Sequence, residues 1–133
     1  MGVGGPTFSR LLWSITVKAI PNNAPTNIAA LDGRDPNAGN ARHLYGIQYG
    51  GPSDVLRVQF QHGPRAVAGS TAGVFDDDLL AVVQDRLESF QDGPFACDEN
   101  AKALVLVREA REALGLRVAR RIAKGVLGVN EKH

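Results

Sequence analysis

The sequence predicts an α+β fold in which a small antiparallel β-meander is followed by a long α-helical hairpin. Residues 44–49 and 55–61 alternate apolar and polar side chains on either side of the turn sequence GGPSD, as two antiparallel strands do. Residues 75–91, and those from 97 to about 124, instead repeat apolar side chains at three- and four-residue steps, as amphipathic helices do. The sequence DGP at 92–94 provides a tight bend between them, so the two helices are expected to pack as a hairpin.

Length and composition indicate one small domain. The chain has 133 residues, with 44% apolar and 22% charged, which are ordinary values for a globular protein. We expect N-terminal strands and a long polar loop over 1–54, and a β-hairpin with the helical hairpin over 55–133. No apolar run approaches the ~18 residues of a membrane span, so no membrane partner is expected. The single cysteine, Cys97, fits a reducing cytoplasm, and a small apolar role in the turn is favoured over a nucleophile.

The N-terminal part contains one predicted strand and one long irregular segment. WSITVKAI, at 13–20, alternates polar and apolar residues with β-branched character, which predicts a strand. Residues 21–43 contain five Asn, three Pro and two Gly without periodicity, which is typical of a mobile loop, with a ligand lid as the alternative. Further on, HGP at 62–64 turns the chain again before RAVAG at 65–69. The meander has one apolar face, which the first helix is expected to cover.

The first helix begins with three aspartates at 76–78. They suit the positive end of the helix dipole and one of them can cap the helix; a divalent-cation site is the alternative, which no further ligand cluster supports. The second helix opens near CDEN, at 97–100, and is expected to end at Gly125. The predicted apolar stripes are Leu79, Leu80, Val83, Leu87 and Phe90 on the first helix, and Leu104, Val107, Leu114, Val118 and Ile122 on the second.

A basic cluster lies near the end of the second helix. Arg117, Arg121 and Lys124 fall within about 60° of one another around the helix axis. No Asp or Glu lies three or four residues from any of them, whereas Arg108 has Glu112 at that spacing and is predicted to pair with it on the surface. The helix dipole explains one or two cations at a C-terminus. An anion site explains the cluster better, because guanidinium groups are suited to phosphate.

The bend carries two aromatic rings and an amide, from Phe90, Phe95 and Asn100. If the hairpin closes on itself, or on a partner's hairpin, Phe90 and Asn100 would face the arginines. A ring stacks a base, an amide hydrogen-bonds the edge of the base, and guanidinium groups hold phosphates, which together describe a nucleotide pocket. In the alternative, the two rings staple the helices together and Asn100 caps the bend. Spacing alone does not decide between the two.

No residue pattern predicts catalysis, a metal centre or a cofactor. His43, His62 and His133 are scattered over a loop, a turn and the terminus, and each is expected on the surface. Neither a metal-ligand spacing nor a nucleophile motif occurs. We therefore expect a binding protein rather than an enzyme.

The second half of the chain resembles the helical-hairpin domain of phage anti-defence sponges. The shared pattern reads FQ-x-GP, then DLL-x-x-V-x-x-RL-x-x-FQ-x-GPF-x-C-x-EN, then R-x-x-x-R-x-x-(K/R)-GV, and it covers residues 58–128 here. The first type of Thoeris anti-defence protein and the second type of anti-CBASS protein share this domain. The β-meander ahead of the hairpin fits the Thoeris type better.

The resemblance implies a sponge that binds and sequesters cyclic nucleotide immune signals in the host cytoplasm without cleaving them. The implied ligands are cyclic ADP-ribose isomers and, for some members, cyclic di- and trinucleotides. It also implies a homo-oligomer, commonly a hexamer, with pockets shared between protomers. By position, Phe90 would stack the base, Asn100 would hydrogen-bond to it, and Arg117 and Arg121 would grip phosphate.

Two further residues follow from the resemblance. Arg65 is a candidate for a contact from the β side, and Lys124 for a second, cyclic-oligonucleotide site. The tail at 125–129 reads GVLGV where the family often has GVEGT, so the acid and the hydroxyl of that tail are missing. The alternative functions are a nucleic-acid-binding regulatory module, for which the net charge of only +1 is unfavourable, and an enzyme that degrades cyclic nucleotides.

Overall fold

The computed structural model of the chain describes residues 18–124. Four β-strands come first, β1 (Lys18–Ile20), β2 (Asn27–Ala30), β3 (Leu44–Gln48) and β4 (Val55–Gln59), and two α-helices follow, α1 (Asp76–Gln91) and α2 (Asp98–Ala123). The strands lie in the order β1-β2-β3-β4, and each neighbouring pair is antiparallel. The predicted α+β class, a meander followed by a helical hairpin, is therefore confirmed.

The described residues form two compact units. Residues 18–63 and 68–73 form the sheet unit, and residues 64–67 and 74–124 form the helical unit. The predicted division of the chain between residues 54 and 55, and the covering of the sheet by α1, stay predictions. Among residues 18–124, no helix has the length and the apolar character needed to cross a membrane.

Strand β2 lies inside the segment predicted to be a mobile loop. Its register places Ile28 opposite Ile47 of β3, and both Ala29 and Ala30 are fully buried. Two consecutive alanines show neither β-branched character nor alternation, so the local sequence does not indicate this strand. Pairing with β3 provides the backbone hydrogen bonds and the burial that form it.

Hydrogen bonds also organise residues 31–43 of that loop. The Asp32 carboxylate accepts the backbone N–H groups of His43 at 2.9 Å and of Leu44 at 3.3 Å, directly at the start of β3. The backbone N–H of Asp35 donates to the carbonyl of Ala41 at 3.1 Å, and its carboxylate caps a single turn of 3-10 helix at Pro36–Ala38. The prediction of an irregular loop is therefore wrong for residues 27–30, which form β2, whereas the mobility of residues 31–43 stays a prediction.

The other strand predictions have mixed outcomes. β3 and β4 are found within one or two residues of the predicted bounds. Of the predicted strand at 13–20, only 18–20 lies within the described residues, where it forms β1. Residues 65–69, which follow the predicted HGP turn, form further turns, and Gly69 adopts a left-handed backbone with a φ of 89°.

Helix α1 begins as its aspartates predict. The Asp78 carboxylate accepts the backbone N–H of the N-cap residue, Phe75, at 2.8 Å. Asp77 instead reaches α2, where its two carboxylate oxygens accept hydrogen bonds of 2.7 and 3.2 Å from Arg111. The capping interpretation is confirmed for Asp78. Within residues 18–124, no group of three or more His, Cys, Asp or Glu side chains is arranged to hold a metal ion.

The bend between the helices is closed by Cys97 and Gln91. Cys97 is the N-cap residue of α2, and its Sγ accepts the backbone N–H of Asn100 at 3.5 Å. The backbone N–H of Cys97 donates to Oε1 of Gln91 at 3.1 Å. Asn100 is the third residue of α2, so the alternative in which it caps the bend is wrong. Phe95 is 73% exposed, so it does not staple the helices together.

Apolar packing in the hairpin is confined to the part of α2 that α1 can reach. Leu104 is 7% exposed, the lowest value among the apolar side chains described in the helical unit. Val118 and Ile122, predicted in the same stripe, are largely exposed. α1 has 16 residues and α2 has 26. At about 1.5 Å per residue, α2 is roughly 15 Å longer, and its last turns extend past α1.

Polar contacts also join the two helices. Arg108 Nη2 lies 2.9 Å from Glu88 Oε2, and Arg111 Nη1 donates to Gln84 Oε1 at 2.9 Å. The predicted surface pair between Arg108 and Glu112 is wrong, because the facing helix presents Glu88 at hydrogen-bond distance. The hydrogen bond from Arg108, and then that from Gln84, lowers the pKa of Glu88. These contacts hold α1 and α2 in one register.

Candidate functional site

The predicted ligand residues lie at opposite ends of the hairpin. Phe90, in the last turn of α1, and Asn100, in the first turn of α2, form what we call the bend end. Arg117 and Arg121 lie on the last turns of α2 and Lys124 is its C-cap residue; together they form what we call the open end. The open end is also where α1 begins, because the two helices are antiparallel.

The two ends are too far apart to form one pocket within one chain. About 17 helical residues separate Asn100 from Arg117, and about 21 separate it from Arg121. At about 1.5 Å per residue, these separations are roughly 26 Å and 32 Å along the axis of α2. The alternative in which a single hairpin closes on itself and brings Phe90 and Asn100 to the arginines is therefore wrong. Of the two arrangements considered, only the one with a partner's hairpin remains.

The bend end presents a ring, an amide and an arginine. The Phe90 side chain is half-buried, and the guanidinium carbon of Arg86 lies 5.2 Å from the centroid of its ring, within the range of a cation–π contact. Asn100 is also half-buried, and its backbone N–H is bonded to Cys97. Its side-chain carboxamide forms no hydrogen bond with another side chain or backbone group in residues 18–124. The bend end thus has a π surface and an amide with capacity for a ligand.

The open end presents positive charge and a second ring. Arg117 and Lys124 are exposed, whereas Arg121 is half-buried. Arg65 was predicted on the β side, but it belongs to the helical unit, where its guanidinium carbon lies 5.8 Å from the centroid of the Phe75 ring. Phe75 directly precedes α1. The open end can therefore hold an anion, and it offers a second aromatic surface.

Sequence reasoning missed Arg86 and Phe75. The four-residue step from Arg86 to Phe90 places both on one face of α1, and this spacing could have indicated their contact. No comparable signal exists for Phe75. Its contact with Arg65 depends on how residues 64–67 pack in the helical unit.

A pair of stacked histidines lies in the sheet unit. The rings of His43 and His62 are 3.9 Å apart and inclined by only 5°, and Nε2 of His62 lies 2.7 Å from Oδ2 of Asp35. His43 is 7% exposed, so its predicted surface position is wrong; His62 is half-buried, and His133 lies outside the described residues. Burial, followed by the nearby His62, lowers the pKa of His43. The hydrogen bond with His62 lowers the pKa of Asp35.

Comparison with known proteins identifies the hairpin. Residues 52–119 match a family described as Acb2/Tad1, hairpin domain. A curated relative, Thoeris anti-defense 1 of Bacillus phage SBSphiJ7, is 42% identical over 78 residues, which are 59% of this chain and 54% of the relative. The match therefore spans about half the length of that relative. Arg65, Phe90, Asn100 and Arg117 lie inside the family match, and Arg121 and Lys124 lie just beyond it.

Proposed function

The chain belongs to the Acb2/Tad1 hairpin family, and from this premise we propose that it is a phage anti-defence protein that binds and sequesters cyclic nucleotide signals without cleaving them. The proposed ligands are cyclic ADP-ribose isomers and cyclic di- or trinucleotides. The proposed place of action is the host cytoplasm. The name of the phage relative supports the anti-defence role.

The observation that carries the proposal is the division of nucleotide-recognition groups between the two ends of the hairpin. The bend end has the ring of Phe90 for a base and the amide of Asn100 for its edge, and the open end has Arg117 and Arg121 for phosphates. Because roughly 26 Å of helix separates Asn100 from Arg117, we place the complete pocket between the bend end of one copy and the open end of another. The protein is then a homo-oligomer, and a hexamer is the expected form.

Exposed apolar side chains support self-association. Leu116 is 73% exposed and Ile122 is 58% exposed, and both lie on the same turns of α2 as the arginines. Apolar surface of this kind is commonly buried in contacts between protein chains. A second copy that covers these turns would bring its own bend end close to the basic cluster.

The free energies of the individual contacts also favour a pocket shared between two chains. A hydrogen bond to a charged group contributes about 1.5–3 kcal/mol and a stacked base about 1–3 kcal/mol. Two arginines and one ring therefore give roughly 4–9 kcal/mol before the costs of ordering, whereas a nanomolar Kd requires about 12 kcal/mol. A single set of groups falls short, and sets from two chains can reach this value.

Recovery of the ligand tests whether the protein is a sponge. Thermal-shift screening with cyclic ADP-ribose isomers and cyclic di- and trinucleotides would first identify a ligand. We expect that heating the complex releases this ligand chemically intact, as seen by chromatography and mass spectrometry. Recovery of a cleaved product would contradict the proposal and indicate an enzyme. Binding of duplex DNA that weakens steeply with salt would instead indicate a nucleic-acid-binding module.

Substitution of the arginines tests the assigned roles. We expect Arg117→Ala and Arg121→Ala each to weaken binding at least tenfold by isothermal titration calorimetry, because each removes a charge-assisted hydrogen bond of about 1.5–3 kcal/mol. Light scattering should show an unchanged oligomer. Arg34→Ala, at an exposed arginine in the sheet unit, is the control and should bind normally. Unchanged affinity in both open-end variants would contradict the assignment.

A further inference from the structure

Arg86, on α1, differs in its contacts from Arg108 and Arg111, on α2. Arg108 and Arg111, on α2, both form ion pairs with carboxylates of α1. Arg86 is exposed, and its guanidinium carbon lies 5.2 Å from the centroid of the Phe90 ring. The positions three and four residues away on α1 hold Val, Val, Ser and Phe, so no carboxylate lies one turn from it along the helix.

We infer that Arg86 is a positioning residue of the nucleotide pocket, and this inference rests on the proposed function. Its guanidinium carbon lies 5.2 Å from the centroid of the Phe90 ring, so Arg86 occupies one side of the ring and a ligand base would stack on the other side. One ring then holds one base in a defined orientation. The guanidinium group, the ring and the base form three successive layers, and guanidinium and base are both suited to stacking on an aromatic face.

Arg86 also brings charge to the half of the pocket that contains the ring. Arg117 and Arg121 lie roughly 26–32 Å from Asn100 along α2 of the same chain, so they reach the base only from another copy. Arg86 supplies a cation from the chain that supplies the ring. The bend end therefore favours bases that carry phosphate over neutral nucleosides, because a charge close to a stacked base attracts the anion attached to it.

Two substitutions separate this role from simple packing. Arg86→Gln removes the charge, and Arg86→Lys keeps the charge but not the planar group. With cyclic di-AMP and a cyclic ADP-ribose isomer as probes, we expect Arg86→Gln to weaken binding about fivefold to tenfold. The slope of log Kd against log salt concentration should become shallower, because one fewer cation takes part. Arg86→Lys should keep the wild-type slope and recover part of the affinity.

The controls separate failure of this inference from failure of the proposed function. Phe90→Ala removes the ring itself, and Arg34→Gln removes an exposed charge in the sheet unit. If the wild-type protein binds the probes and Phe90→Ala does not, the proposed function stands. In that case, an Arg86→Gln variant with affinity within twofold of wild type and an unchanged salt slope would overturn the role of Arg86. Equal losses in Arg86→Gln and Arg86→Lys, with an unchanged slope in both, would overturn it as well.

Discussion

His43 is buried in the sheet unit although, among residues 18–124, one of its ring nitrogens has no hydrogen-bond partner. Nδ1 of this imidazole is inaccessible, and no donor or acceptor in residues 18–124 reaches it. The ring instead stacks on His62, which is hydrogen-bonded to Asp35. Buried polar atoms are usually bonded, so this atom has a cost that the stacking and the surrounding sheet offset. The cost increases greatly when the ring takes up a proton, because burial disfavours its charge.

The burial of His43 predicts a loss of stability in mild acid. Its pKa in the folded protein lies below the ordinary value of 6.5, so the unfolded chain binds the proton first as pH falls. The contribution of neutral His43 is complete above a pH of about 6.5 and is lost progressively below it. Denaturant titration at a series of pH values should show this decrease, with near-ultraviolet circular dichroism of Tyr45 and Tyr49 reporting on the sheet unit.

His43→Phe is the control for that prediction. Phenylalanine retains a flat ring for stacking and cannot take up a proton, so the variant should lose most of the pH dependence between about pH 7.5 and pH 5.5. An identical pH dependence in the wild-type protein and in this variant would show that another group is responsible.

At the scale of elements, the two helices are held together by few buried contacts. Leu104 is buried, while Arg108 and Arg111 connect α2 to carboxylates on α1. Ion pairs as exposed as these contribute little stability, typically about 0–1 kcal/mol each. Much apolar surface of α2 is left uncovered by the rest of residues 18–124, which agrees with the proposal that another copy covers it.

The glycine inside α2 provides a prediction for this element. A Cβ atom at Gly115 would meet nothing within 4 Å among residues 18–124. Gly115→Ala should therefore stabilise the protein by about 0.8–1 kcal/mol, because alanine is the better helix former. Chemical denaturation followed by far-ultraviolet circular dichroism measures the change.

Gly73→Ala provides the opposite case. A Cβ atom at Gly73 would collide with the carbonyl oxygen of Gln59 and with the backbone of Phe60 and Gln61, so this variant should be destabilised. If Gly115→Ala were destabilised as well, or changed the oligomer, the surface of α2 at Gly115 would be in close contact with another chain.

At the scale of the whole molecule, the hairpin would act in the proposed assembly as a spacer between two different halves of a binding site. The contacts between α1 and α2 hold the bend end and the open end at a fixed separation. A chain with both halves cannot use them on the same ligand, but it can contribute one half to each of two pockets. In a closed, symmetric assembly every bend end would then meet an open end.

Complementation between variants tests this arrangement. Phe90→Ala disables the bend end, and the double variant Arg117→Ala with Arg121→Ala disables the open end, so we expect neither protein to bind ligand tightly by itself. When the two are coexpressed, about one quarter of the pockets, one half times one half, should combine an intact bend end with an intact open end. Calorimetry should recover that fraction of the binding capacity.

A matched pair of variants controls for nonspecific recovery. Phe90→Ala and Asn100→Ala both disable the bend end, so coexpression of these two should restore no tight binding. Failure of the first pair to recover any capacity, with the mixed oligomer present, would mean that the pocket does not combine these two ends.

Local sequence was sufficient for α1, α2, β3 and β4. Each of these elements has a repeat of apolar side chains that ends at a turn or cap, and such a signal depends on neighbours within a few residues. The residues of the bend and the basic cluster were also visible, because their chemical types and helical spacing are properties of the sequence. β2 was missed because its alanines have no strand signal of their own.

The sequence by itself determined the helical hairpin, the pattern of aromatic, amide and basic residues proposed to bind a nucleotide, and the family resemblance, since all three depend on residue types at short, fixed spacings. Only the tertiary structure decided that Arg111 pairs with Asp77, 34 residues away, and that His62 meets Asp35, 27 residues away. It also decided that Phe90 and Asn100 lie far from Arg117 and Arg121. The physical reason is the same in each case: long-range contacts and distances depend on how elements pack, and residue spacing along the chain does not specify that packing.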